Sequence, residues 1–141
     1  MNADINNYSF EDIYIGMKES FSVVITSEMV DKFCDITGDI NPLHRNEEFA
    51  KSKGFSGTVV YGMLTSSFLS TLAGCYLPGE RSLIREVDVK LKKPVFIGDR
   101  LTITGEVTDL RAEFQIFDMK VTITNQENEK VLRGMMQMGV I

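Results

Sequence analysis

Three polar side chains fall within a short span, Asp39, Asn41 and His44, of which the carboxyl and the imidazole can move protons; His44 is the only histidine in the chain. Asp39 and His44 lie five positions apart across Asn41-Pro42, a turn signal because proline drives the residue before it out of the helical region. A carboxylate and an imidazole placed in this way can converge on one water molecule. Downstream, residues 54–79 contain no Asp, Glu, Lys or Arg, and Gly62 opens the helical part of that run. A glycine in a first helical turn lets a ligand approach the backbone, where free N–H groups and the positive end of the helix dipole stand ready. Taken singly, an Asp after a helix is a turn former and a lone His is a structural group. Together with Gly62 they supply an acid/base pair and an oxyanion site, the parts that proton chemistry next to a carbonyl requires.

The elements that must position these groups follow from periodicity. A strand is expected over 21–25. Ser27 is then expected as the N-cap of a helix in which Met29, Val30, Phe33, Cys34 and Thr37 recur at helical spacing, with Gly38 as its stop. Asp39 therefore sits in a loop just past a helix C-terminus. A short amphipathic helix is expected over 46–53 and an extended segment over 58–61, followed by the uncharged helix from Gly62 to about Tyr76. A helix without charge on any side is expected to be buried on every side. Beyond it the period changes to two. Leu83, Val87, Val89 and Leu91 alternate with charged residues as a half-buried strand whose apolar face Arg85 interrupts; further strands are expected over 101–108, 114–124 and 132–140. Ile116-Phe117 in succession implies a bulge. One strand, then helices, then four strands joined by short turns reads as α+β, an antiparallel sheet wrapped around one central helix.

At 141 residues the chain is expected to be one domain, and its net charge of −5 argues against a nucleic-acid partner, which would need a basic face. The uncharged run is long enough to test as a membrane span, but its Ser, Thr and Gly content leaves no block of 18 apolar residues, so no membrane partner is expected. Cys34 and Cys75 fall in apolar helical patterns as buried thiols without metal-type spacing. With no secretory signal at the N-terminus, they imply a reducing, cytoplasmic location.

The segments FCDITGDINPLH, GFSGTVVYGML and KLKKPVFIGD, with the helix between the last two, resemble the MaoC-like (R)-specific enoyl-CoA hydratases of the hot-dog fold. The resemblance covers residues 10–99, and G-D-x-N-P-x-H is its most specific element. It implies a long helix wrapped by an antiparallel sheet, a homodimer able to assemble further, and reversible syn hydration of trans-2-enoyl thioesters to (R)-3-hydroxyacyl thioesters. The substrate would carry coenzyme A or an acyl carrier protein, and no metal or redox cofactor is implied. By position, Asp39 and His44 match the family's catalytic pair, Asn41 an orienting amide, Gly62 the glycine whose N–H polarises the thioester carbonyl, and Ser70 a serine that supports the carboxylate. The family reads His-Gly-Met where this chain has Tyr61-Gly62-Met63, so Tyr61 and Met63 become candidate substrate contacts. Lys90, Lys92 and Lys93, with Lys51 and Lys53, are candidates for the carrier's phosphates, and Arg85 for substrate or a subunit boundary.

The same fold serves thioesterases, in which water attacks the carbonyl instead of C3, and non-catalytic acyl-thioester binding subunits. The tight D-x-N-P-x-H cluster favours hydration, and a binding module needs no acid/base pair.

Overall fold

The computed structural model describes residues 4–141. Five strands form one antiparallel sheet in the order β1-β3-β4-β5-β2: β1 (Lys18–Val24), β2 (Ser82–Leu91), β3 (Arg100–Arg111), β4 (Ile116–Thr124) and β5 (Lys130–Val140). Between β1 and β2 the chain forms α1 (Ser27–Thr37), α2 (Pro42–Arg45), α3 (Glu47–Ser52) and α4 (Gly62–Thr71), the last running on into one wide π-helical turn, Leu72–Tyr76. The sheet curls around α4 and this turn. Leu69, Leu72 and Ala73 are buried with Leu101, Ile103, Phe117, Met119, Leu132 and Met136 from the three central strands. Each such side chain contributes about 1.5–3 kcal/mol by leaving water, so the helix is fixed on the sheet along its whole inner face.

Several local expectations change in physically instructive ways. The cap of α1 is Thr26, not Ser27: the Met29 N–H donates to its Oγ1 at 3.2 Å, and Gly38 ends the helix in the left-handed region at φ 72°. The Asn41-Pro42 turn is also the start of a helix. Pro42 occupies the first helical position, where its missing N–H costs nothing, and Asn41 caps α2 through its side chain. The bulge expected at Ile116-Phe117 is absent, since both residues pair in register with β5; β3 instead shifts register between Val107 and Asp109. Both cysteines are free and only half-buried.

Two corrections bear on the site. Helix α4 is not buried on every side: Met63, Ser67 and Ser70 form an exposed stripe, Met63 being 70% exposed. The Ser66 and Ser67 hydroxyls donate back to the carbonyls of Gly62 and Leu64. Strand β2 is not half-buried either. It is exposed over nearly its whole length, and a register shift between Ile84 and Glu86 makes Arg85 the extra residue of a bulge. The bulge exchanges Leu83 for Ile84 on the inner face, so that Ile84, Val87, Val89 and Leu91 stand beside Met138, Met136, Gly134 and Leu132. Those β5 methionines are buried under α4, whereas Val87 remains 47% exposed at the sheet edge.

Candidate active site

The loop after α1 presents Asp39 at the surface, shaped by local bonds. The Asp39 N–H donates to Thr37 Oγ1 at 3.3 Å, and the Asn41 N–H donates to Asp39 Oδ1 at 3.1 Å. Asn41 Oδ1 in turn accepts from the Leu43 N–H at 2.9 Å. Its side-chain oxygen therefore caps the start of the helix that carries His44. Removing an N-cap side chain costs about 1 kcal/mol. Asn41→Ala should lower stability by that order and, by loosening α2, lower turnover more than it raises KM; thermal melts and steady-state kinetics check both.

His44 is half-buried, and its Nδ1 lies 2.6 Å from the Val59 carbonyl oxygen. A carbonyl can only accept, so Nδ1 carries the hydrogen and Nε2 is the lone-pair nitrogen of the neutral ring. The Tyr61 ring packs on the imidazole with centroids 4.2 Å apart, and Phe33 packs on Tyr61 at 5.0 Å. Tyr61 itself is 2% exposed. Its hydroxyl donates to the Asp39 carbonyl at 2.5 Å, and Cys34 Sγ reaches the same oxygen at 3.5 Å. Burial first, then the neighbouring Cys34, pushes the phenol up to about 12, so it stays a donor at neutral pH.

Gly62 follows directly as the first residue of α4. The N–H groups of Gly62 and Met63 find no backbone acceptor among the described residues, as expected of a helix start. Two adjoining cavities of about 320 and 340 Å³ meet here. His44, Gly62 and Leu91 line both; Asp39, Tyr61 and Met63 line one, Thr65 and Lys92 the other. The acid, the imidazole and the glycine N–H are thus brought to one opening, with apolar walls from Phe55, Val60 and Val95 behind it.

Other candidates are placed elsewhere. Ser70 lies on the exposed stripe of α4, and no hydrogen bond joins it to Asp39 among the described residues. Arg85 is taken up by the β2 bulge, and neither it nor Lys90 lines the cavities. Lys51 pairs with Glu47 at 3.2 Å, Lys93 pairs with Glu129, and Lys53 lies over the Phe49 ring. Lys92 is the lysine of this set that lines the cavity without an ion pair among the described residues. Three contributors had no signal in the sequence: the Val59 carbonyl, Leu91 over Gly62, and Thr65, whose buried Oγ1 has no partner among the described residues.

A helix wrapped by one curled antiparallel sheet, with a carboxylate, an imidazole and an open helix start at one cavity mouth, defines the class: a hot-dog domain. The chain belongs to the MaoC-like domain family, whose model matches residues 13–131. It is 34% identical over 121 residues to an (R)-specific enoyl-CoA hydratase of Rhodospirillum rubrum, covering 86% of this chain and 84% of the relative. To the (R)-specific enoyl-CoA hydratase of Aeromonas caviae it is 33% identical over 126 residues, covering 89% and 94%. The solved structure of an (R)-hydratase from A. caviae superposes with a TM-score of 0.89 at 31% identity, over 93% of this chain and 99% of that one.

Proposed function

We propose that the protein is an (R)-specific enoyl-CoA hydratase, a hydro-lyase that adds water reversibly across trans-2-enoyl thioesters to give (R)-3-hydroxyacyl thioesters. The observation that carries this reading is the meeting of Asp39, His44 and the open start of α4 at one apolar cavity, in a chain similar to (R)-specific hydratases over most of its length.

The chemistry follows from the geometry. With the thioester carbonyl at the Gly62 N–H, electron density drawn toward that oxygen makes C3 electrophilic. Asp39 and His44 hold one water; the pair takes a proton from it as its oxygen bonds to C3, and a proton is returned to C2 as the enolate collapses. One water is consumed, and both its hydrogens and its oxygen appear in the product. Because Nδ1 is occupied by Val59, Nε2 is the imidazole atom that exchanges protons. No electrons leave the substrate, so no redox cofactor is called for, and the reading assigns the polarising role to the Gly62 N–H instead of a metal; coenzyme A or an acyl carrier protein enters as part of the substrate. In this reading Lys92, which lines one cavity, would meet the carrier's phosphates, and Met63, which lines the other, the acyl chain. Cys34 and Cys75, both free, suit a reducing cytoplasm.

Crotonyl-CoA tests the reading. Loss of the enoyl absorbance with formation of (R)-3-hydroxybutyryl-CoA is the expected result. Release of free thiol would make the protein a thioesterase, and binding without turnover a binding subunit.

The protein is further expected to be a homodimer joined through β2. Strand β1 exposes Lys18, Ser20 and Ser22 along its edge, a blunted edge, whereas β2 exposes Leu83, Ile84, Val87 and Leu91. Two-fold pairing of β2 with its copy would make one ten-stranded sheet and cover the bare inner face beside Met63. Light scattering should give twice the chain mass at micromolar concentration, and Val87→Lys should shift it toward the monomer. A wild-type monomer would remove the claim.

A further inference from the structure

We propose that Tyr61 is a positioning residue that sets Asp39 and His44 at one separation, its hydroxyl tying the Asp39 loop and its ring backing the imidazole. The inference rests on the hydratase reading for what the pair does, but its geometry stands apart from it.

The bonds that shape the Asp39 loop are local, from Thr37 to Asp39 and from Asp39 to Asn41. With the Asn41 cap of α2 and the His44 N–H bonded to the Asn41 carbonyl at 3.0 Å, they join the loop to the His44 helix along the chain, but none of them is long-range. Asp39, Ile40 and Asn41 are all exposed, so packing does not hold the loop either. The Tyr61 hydroxyl supplies the missing long-range bond, at 2.5 Å across 22 positions of sequence. Two residues earlier, the Val59 carbonyl accepts from His44 Nδ1. One extended stretch, 59–61, therefore holds both members of the pair, the imidazole by a carbonyl and the carboxylate loop by a phenol.

That stretch is itself firmly seated. The Val60 N–H donates to the Val95 carbonyl at 2.8 Å, and the Val59 N–H donates to the Leu43 carbonyl at 3.1 Å. Tyr61 is wedged between Phe33 and His44. A phenylalanine would fill this space equally well, and a buried hydroxyl costs free energy unless it is bonded. The phenol oxygen is accordingly accounted for by the Asp39 carbonyl, not by packing.

Two variants separate the two ends of the side chain. Tyr61→Phe keeps the ring and removes the tie; Tyr61→Leu removes both. With crotonyl-CoA, Tyr61→Phe is expected to lower kcat at least about fivefold, the scale of one net hydrogen bond, with KM changed less than twofold. Tyr61→Leu should lower kcat further. The single histidine gives one imidazole Hε1 resonance, which the ring current of Tyr61 displaces. That resonance should keep its position in Tyr61→Phe and move in Tyr61→Leu. This measurement needs no turnover, so it reports on the packing even where the wild type does not hydrate crotonyl-CoA, an outcome that would sink the functional reading alone. A native kcat in Tyr61→Phe, a loss confined to KM, or an unmoved resonance in Tyr61→Leu would each overturn the proposal. Where Tyr61→Leu does not fold, the kinetics of the conservative Tyr61→Phe decide.

Discussion

Asp39→Asn and His44→Gln should each lower turnover of crotonyl-CoA at least about 10²-fold, the usual scale of general acid–base catalysis, and the double variant should be little worse than the poorer single one. The near-equality is the informative part. If the carboxylate and the imidazole bind and activate one water together, removing either leaves the other without a partner, and groups acting as a unit are strongly non-additive in rate. The substitutions are chosen to leave the framework in place. Asparagine keeps an oxygen able to accept from the Asn41 N–H, as Asp39 Oδ1 does. The glutamine amide can donate to the Val59 carbonyl in place of His44 Nδ1, yet it cannot cycle a proton. Asp39 lies on an exposed loop, so melting temperatures should stay near native for that variant. Multiplicative losses in the double variant would assign the two residues separate jobs, and a near-native rate in either single would return that residue to a structural role.

The parts of this site differ in how far the sequence discloses them, and the difference has a physical basis. Asp39, Asn41, His44 and Gly62 are legible because they follow local rules: a glycine stop before Asp39, a proline turn that carries Asn41 and His44, and a glycine at the start of the helical part of an uncharged run. The α+β order and the antiparallel strands are legible for the same reason, since period and turn residues are local properties. What is not legible depends on contacts across the sheet. The bulge at Arg85 exchanges Leu83 for Ile84 on the inner face, and alternation read along one strand cannot reveal a register set by its partner. The bare inner face of β2 and the exposed stripe of α4 are likewise invisible, because an uncharged helix and an apolar strand edge look the same whether a chain covers them itself or leaves them to a copy. Ser70 is placed beside the carboxylate by motif position alone. Its spacing from Met63 and Ser67 instead puts it on the exposed stripe. Tyr61 shows most clearly where local reading stops: its identity is visible, but its bond to a carbonyl 22 positions away is not.

Gly62→Val is expected to cost about 10²–10³-fold in kcat, the loss that follows removal of one oxyanion donor, while the protein still folds. Two effects are superposed at this position and can be separated. A Cβ built on Gly62 would lie 2.4 Å from Leu91 Cδ1, a clash that cannot persist. Leu91 is 54% exposed, and the atom in the way is the tip of a flexible side chain, so it can turn aside at modest cost in stability. The N–H has no such freedom. Any side chain at 62 stands at the opening shared by both cavities and either blocks the carbonyl or tilts the amide away from it. Adding Leu91→Ala to Gly62→Val should therefore restore the melting temperature toward that of Leu91→Ala alone, because the clash is gone, without restoring turnover. Recovery of both would mean that the valine acts only by crowding. A near-native rate in Gly62→Val itself would place the oxyanion donor elsewhere on the chain.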